Sequence, residues 1–286
     1  MHAGQQWRSF APKIFLNTRS LAELLDGGQS FRWSLKSGGI WEGVFGKNLV
    51  QVKLSESENL RYRVLTGESI EILEYFGQSV DWDMIRDALP WRSDPQLRTC
   101  MQEFPGLRIL QQPFGETLFS FLCSTAKQIS QIKQCCLEVA NRLGEDLGGG
   151  NYAWPGWDAI AEAGEDVLRE CRLGYRSRYI WKVAKILRKD QEFELRLASE
   201  GYPQAKATLM QLPGVGAKVA DCVLLFGCGR LEAFPVDTWI TKVMARRYNL
   251  GGWDNAKVAQ FGHVHFGSAA GLAQQFLFAS ERANYG

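Results

Sequence analysis

Residues 209–237 read Leu209-Met-Gln-Leu-Pro213-Gly214-Val-Gly216-Ala-Lys218-Val-Ala-Asp-Cys222-Val-Leu-Leu-Phe-Gly-Cys-Gly-Arg-Leu-Glu-Ala-Phe-Pro235-Val-Asp237. Two apolar segments flank a Pro-Gly-Val-Gly turn, which predicts a helix–hairpin–helix over about residues 205–227. Gly214 and Gly216 can take positive φ and leave no Cβ in the way of an approaching group. The second helix, starting near Val215, then offers unpaired N–H groups and the positive end of its dipole to an anion. A backbone phosphate of nucleic acid suits such an end. Pro-Gly-Val-Gly alone is equally compatible with an ordinary helix–loop–helix corner.

Lys218 and Asp237 add chemistry to that corner. A lysine is a nucleophile only as the neutral amine, which a helix N-terminus and partial burial favour. Such an amine can attack an electrophilic carbon, for instance C1′ of a deoxyribose losing its base, and form a Schiff base. Asp237, nineteen residues on, could stabilise an oxocarbenium-like sugar or carry protons for the amine. A solvated lysine on an exposed helix face is the plain alternative. Val219, Ala220, Val223 and Leu224 speak for a packed helix, and Cys222 lies one turn from Lys218 on the same face.

These residues resemble the catalytic core of the helix-hairpin-helix (HhH-GPD) DNA glycosylases, and within them the 8-oxoguanine DNA glycosylase/AP lyase family. Gly27-Gly28-Gln29-Ser30-Phe31-Arg32-Trp33 is similar to that family's N-terminal signature. Gly271-Leu272-Ala273-Gln274-Gln275-Phe276-Leu277-Phe278 is similar to the helix that closes over the damaged base. The three segments occur in the family's order and span nearly the whole chain. The resemblance implies that Lys218 is the nucleophile and Asp237 the catalytic carboxylate. It implies that Cys222 and Phe278 stack on the extruded base and that Gln274 bonds its Watson–Crick edge. Gly28 would offer a carbonyl to N7–H, the hydrogen that distinguishes 8-oxoguanine from guanine. Gln274 and Phe278 are four residues apart, so a helix presents them together; on periodicity alone Phe278 reads first as core. Gly174-Tyr175-Arg176-Ser177-Arg178-Tyr179 resembles the segment that wedges into the duplex and reads the orphaned base, through Tyr175 and Arg176.

The chain departs from the family elsewhere. After Cys123-Ser124-Thr125 the usual wedge asparagine is Ala126, followed by Lys127 and Gln128, and an arginine that reads the orphaned cytosine appears as Gln131. Trp239 stands where a histidine is usual. The departures leave open strict selection for cytosine opposite the lesion, and a lesion range wider than or shifted from 8-oxoguanine.

The chain has 286 residues, 22% charged and 45% hydrophobic, and a net charge of +2. Global charge is therefore a weak pointer to nucleic acid, but residues 172–189 carry seven cations and no acid. Arg178, Lys182, Lys185 and Lys189 share one helical face, with Tyr179, Val183 and Ile186 expected near the other. Seven cysteines without an extracellular framework point to a reducing, intracellular compartment: cytoplasm or nucleoid in a bacterium, the nucleus otherwise. No cysteine cluster suggests an iron–sulfur centre, and His263-Val-His265 reads as a surface turn; His2 is the remaining histidine. No metal or cofactor is expected. No apolar run is long enough for a membrane span, and Met1 to Phe15 lacks a basic-then-apolar targeting pattern.

Residues 12–66 read as short strands, at Phe31–Ser34, Gly39–Phe45, Leu49–Leu54 and Leu60–Leu65, forming an antiparallel sheet of four or five strands. From Ser69 the pattern turns helical. One helical period runs over Glu116–Leu143 with Gly144 as the stop, and Gly148-Gly149-Gly150 reads as a loop. Further helices are expected over 157–171, 176–189, 203–211, 215–227, 236–248, 254–262 and 268–283. The expected class is α+β: a sheet subdomain with short helices (1–98), then a mostly helical, two-lobed body (99–286). The expected partner is double-stranded DNA with a damaged base, bound by a monomer without a small-molecule cofactor. Two alternatives remain at this stage: a monofunctional alkylated-base glycosylase, which generally lacks the lysine, and a non-catalytic helix-hairpin-helix DNA clamp.

Overall fold

In the computed structural model, which describes residues 6–285, the N-terminal alternation closes into a five-stranded antiparallel sheet. His2 lies outside the described residues. The strands are β1 (Arg8–Ser9), β2 (Trp33–Leu35), β3 (Trp41–Phe45), β4 (Asn48–Leu54) and β5 (Leu60–Thr66), in the order β1-β5-β4-β3-β2. Trp41 pairs with Val52 and Phe45 with Asn48, so a two-residue turn joins β3 to β4. Trp33, Phe45, Val50, Val52 and Tyr62 fill the buried face. Gly43 lies opposite Trp33, and a Cβ there would come within 2.2 Å of the indole. That missing side chain lets the largest ring of the sheet lie across the strand pair.

The helices that follow are α2 (Ser69–Tyr75), α3 (Trp82–Ala88), α4 (Pro95–Glu103), α5 (Phe114–Cys123), α6 (Ile129–Leu143), α7 (Trp157–Leu168), α8 (Arg176–Lys189), α9 (Phe193–Ser199), α10 (Tyr202–Met210), α11 (Ala217–Cys228), α12 (Thr238–Tyr248), α13 (Asn255–Phe266) and α14 (Ala270–Tyr285). The Trp33 indole donates to the Tyr75 hydroxyl at 3.0 Å and ties sheet to helices. One apolar core continues from Phe10 to Ala279 and includes Leu97, Cys100 and Phe104.

Four local expectations need correction. The region read as strands contains a helix, α1 (Thr18–Asp26), capped by Asn17, whose side chain accepts from the Ser20 N–H at 2.7 Å. Its Leu21, Leu24 and Leu25 are buried at helical spacing. The single period over Glu116–Leu143 is broken: α5 ends at Cys123, Ala126 has φ of 52°, and α6 restarts behind a Gln128–Gln131 capping box. Gly149-Gly150, within the stretch read as a loop, turns a small hairpin, β6 (Asp146–Gly148) with β7 (Asn151–Tyr152), whereas α9 was not expected at all. The segment 157–171 ends early, in a wide turn over Arg169–Leu173 where Arg172 has φ of 61°.

Candidate active site

The hairpin joins α10 to α11 through Gln211–Gly216. Gly214 takes φ of 85°, and a Cβ there would lie 3.2 Å from Tyr179 Cβ and 3.4 Å from Leu122, so both conformation and proximity call for glycine. Gly216 does not use its freedom to take positive φ. It is the extended residue before α11, with φ of −96°, and open space surrounds its missing Cβ. No side chain caps α11. Its first-turn N–H groups therefore have no partner within the helix and point outward beside an exposed glycine.

Lys218, the second residue of α11, is half-buried. Its Nζ lies 2.9 Å from Ser124 Oγ and 5.5 Å from the centre of the Phe121 ring. Among the described residues no ion pair joins Lys218 to a carboxylate. Cys222, one turn on, is buried, and burial pushes its thiol up to about 12 against the pull of Lys218. It is an inert apolar surface at neutral pH rather than a thiolate. Asp237 sits in the electrostatic reach of Lys218 and caps α12, its Oδ1 accepting from the Ile240 N–H at 2.8 Å. Burial raises its carboxyl above the usual range, opposed by the Ile240 N–H and by the Lys218 charge.

The N-terminal signature and α14 meet at Gly28. Its φ is 105°, and an added Cβ would stand 3.1 Å from Ile129 and 3.9 Å from Phe278. Gln29 holds this loop: its amide donates to the Arg108 carbonyl and accepts from the Leu110 N–H, while its carbonyl accepts from Gln112 at 2.6 Å. Sequence reading gave Gln29 no such role. Gln274 is buried, donates to the Pro235 carbonyl at 3.2 Å and accepts from Gln275 at 2.8 Å. One hydrogen and one lone pair of its amide remain unused by those contacts. Phe278 is half-buried and packs against the core. A separate cleft of about 650 Å³, between β2, β3 and α6, shares Ile129 with this wall but contains neither Lys218 nor Asp237.

The remaining predicted residues gather on the hairpin's flank. Tyr175 is 62% exposed at the start of α8 and makes an edge contact with Tyr179. Arg176 is buried, its guanidinium 4.5 Å from the Tyr175 ring centre and bonded to the Thr125 carbonyl. Lys127 Nζ donates to the Arg172 carbonyl at 3.3 Å, and Gln128 caps α6. Gln131 accepts from the Gln128 N–H at 3.0 Å, which commits its carbonyl to helix capping. Arg178, Lys185 and Lys189 are exposed and Lys182 half so, as a stripe. Tyr179 and Ile186, expected on the opposite face, are exposed beside it; the buried face is Arg176, Ser177, Ile180, Val183, Ala184 and Leu187. Pro213 and the stripe lysines line one shallow depression. The two α13 histidines form no surface turn: His263 lies 3.4 Å from Tyr202 and His265 2.9 Å from Asp94.

Residues 13–118 match the 8-oxoguanine DNA glycosylase N-terminal domain, and residues 120–262 match the HhH-GPD superfamily of base excision DNA repair proteins. The fold follows that of the Clostridium acetobutylicum 8-oxoguanine glycosylase/lyase in complex with DNA, at a TM-score of 0.86 and 31% identity over 92% of each chain. The chain belongs to the 8-oxoguanine DNA glycosylase family of the HhH-GPD superfamily. Another family relative, the Arabidopsis thaliana N-glycosylase/DNA lyase OGG1, is 29% identical over 89% of this chain and 75% of its own length. The Archaeoglobus fulgidus 3-methyladenine DNA glycosylase shares the fold at a TM-score of 0.78 and 20% identity, over 98% of this chain and 99% of its own.

Proposed function

We propose that this chain removes oxidised purines, 8-oxoguanine foremost, from duplex DNA and cleaves the strand by β-elimination through a Schiff base on Lys218. The carrying observation is the convergence of Lys218, Cys222 and Asp237 behind an uncapped hairpin helix, with no carboxylate ion pair holding the lysine. An enzyme acting on a base must take it out of the stack, and an exposed tyrosine at the head of α8 suits the gap that remains. The neutral Lys218 amine then attacks C1′ as the C1′–N9 bond breaks and the base leaves with the electron pair. The attached nitrogen loses one proton, its lone pair then expels O4′, which takes up a proton as the sugar ring opens, and the product is the C1′ iminium with one N–H retained. Removal of a C2′ proton expels the 3′ phosphate. Asp237, with its raised carboxyl, is the group to accept and return protons around Nζ. Cys222 and Phe278 offer apolar walls to the extruded base, Gln274 an amide edge, and the Gly28 carbonyl an acceptor for N7–H. The first-turn N–H groups of α11 take a backbone phosphate, and the α8 stripe takes its neighbours. The protein acts as a monomer, inside the cell, where duplex DNA is held.

Borohydride trapping on a duplex with 8-oxoguanine opposite cytosine tests the reading. A covalent adduct that disappears in Lys218→Gln supports it. Base release without an adduct would mean that water attacks instead, and neither adduct nor release would overturn the proposal.

A further inference from the structure

Ser124 is the C-cap residue of α5 at the mouth of the site, and the sequence assigned it no role of its own. Its hydroxyl has one hydrogen, which it donates to the Phe121 carbonyl at 2.7 Å. Towards Lys218, 2.9 Å away, it can therefore only accept. This is the only hydrogen bond of the Lys218 amine among the described residues.

We infer that Ser124 positions the nucleophilic amine of Lys218, holding it by one N–H through a neutral acceptor and leaving its lone pair free; the inference rests on the Schiff-base reading above. A lysine has a flexible four-carbon stem, so Nζ wanders unless a contact fixes it. A carboxylate in this place would fix Nζ too, but it would favour the charged, non-nucleophilic ammonium. A hydroxyl free to donate would compete for the lone pair. Ser124 does neither, because its hydrogen is already engaged by the end of its own helix. The placement also joins two parts of the site. Ser124 opens the Ser124–Gln128 turn, whose Thr125 carbonyl receives Arg176 and whose Lys127 reaches the Arg172 carbonyl. The turn that contacts the DNA-facing segment thus also holds the amine. Ser124 is a positioning residue: it touches the nucleophile, not the substrate.

Two nearly isosteric variants, Ser124→Thr and Ser124→Val, differ by a hydroxyl, with Ser124→Ala as a third. Each is assayed on duplex DNA carrying a preformed abasic site, so that base excision is not part of the rate. Borohydride trapping under single-turnover conditions is read beside the Kd for the same duplex and the melting temperature. Loss of positioning by about 1 Å slows a reaction by roughly 100-fold. We expect Ser124→Val and Ser124→Ala to trap about 10- to 100-fold more slowly at unchanged Kd, and Ser124→Thr to stay within about threefold of the parent. Those bounds follow from the same geometric sensitivity. A purely structural role would move Kd or melting and would not sort the variants by hydroxyl. Parental trapping rates in Ser124→Val or Ser124→Ala would overturn the inference. So would a folded, DNA-binding Ser124→Thr as slow as Ser124→Val. If the parent itself forms no adduct, the Schiff-base reading fails; if the parent reacts and the variants match it, only the role of Ser124 fails.

Discussion

The α8 stripe gives a quantitative handle on DNA binding. From Arg178 to Lys189 the helix advances about 16 Å, at about 1.5 Å per residue. Duplex DNA presents a charge about every 1.7 Å of its axis, so phosphates are not limiting along that length. Lys182, Lys185 and Lys189 have no acidic partner among the described residues, whereas Arg188 of the same helix lies 3.2 Å from Glu162 and 3.8 Å from Asp158. The perturbation is the triple change of the three lysines to Gln, with Arg188→Gln as control. If each lysine displaces one counterion, the slope of log K against log salt becomes shallower by about 2.7, at about 0.9 per phosphate. The affinity gap between parent and triple variant should then shrink about 40-fold between about 50 and 200 mM salt. Fluorescence anisotropy on an undamaged duplex reads this directly, since the contact carries no sequence information. Single-turnover excision at saturating enzyme should change little. An unchanged slope would refute the reasoning, and so would a change of about 0.9 in Arg188→Gln, the same per charge as in the triple variant, because net charge rather than position would then be responsible.

Other outcomes follow from the site. In the proposed mechanism Asp237 acts as the carboxylate and burial raises it, so that mechanism expects excision to fall as pH drops through a value above that of an ordinary aspartate. A pH–rate profile that keeps its acid limb in Asp237→Asn would rule this out. Because Asp237 also caps α12, Asp237→Asn, which retains a capping oxygen, should keep its melting temperature, whereas Asp237→Ala should lose about 1 kcal/mol. Gly28→Ala forces a Cβ at φ of 105° and 3.1 Å from Ile129; we expect a cost of about 1–2 kcal/mol and impaired excision, and parental melting and rate together would contradict the packing described. Gln131 is engaged in helix capping, so Gln131→Ala should alter excision opposite cytosine and opposite adenine by the same factor, which paired single-turnover assays would show or refute.

Much of the local structure around the candidate site was legible in the sequence because it depends on local backbone rules. A Pro-Gly-Val-Gly turn between apolar segments specifies the hairpin through conformational freedom at one position, Gly214, and space at another, Gly216. Strands β2 to β5 followed from alternation, since a sheet with one buried face imposes period two. The α5–α6 break was not legible. Apolar residues continue at helical spacing on both sides of it, and the decision falls to Ala126 in a left-handed conformation and to a glutamine pair closing a capping box. The helix α1 was hidden for a similar reason: it is short and lies between strand-like segments, and its leucines count as helical only once Asn17 is known to cap them.

The sequence by itself determined the hairpin, the position of Lys218 one turn from Cys222, and the order in which the three signature segments occur. Only the tertiary structure decided what those segments touch. It set Gly28 against Phe278 and Ile129, engaged the Gln274 amide with Pro235 and Gln275, and placed Ser124, ninety-four residues away in sequence, on the Lys218 amine. The physical reason is range. Helix periods, caps and glycine turns are set by neighbours within a few residues, whereas a hydrogen bond between distant segments depends on how every helix between them packs.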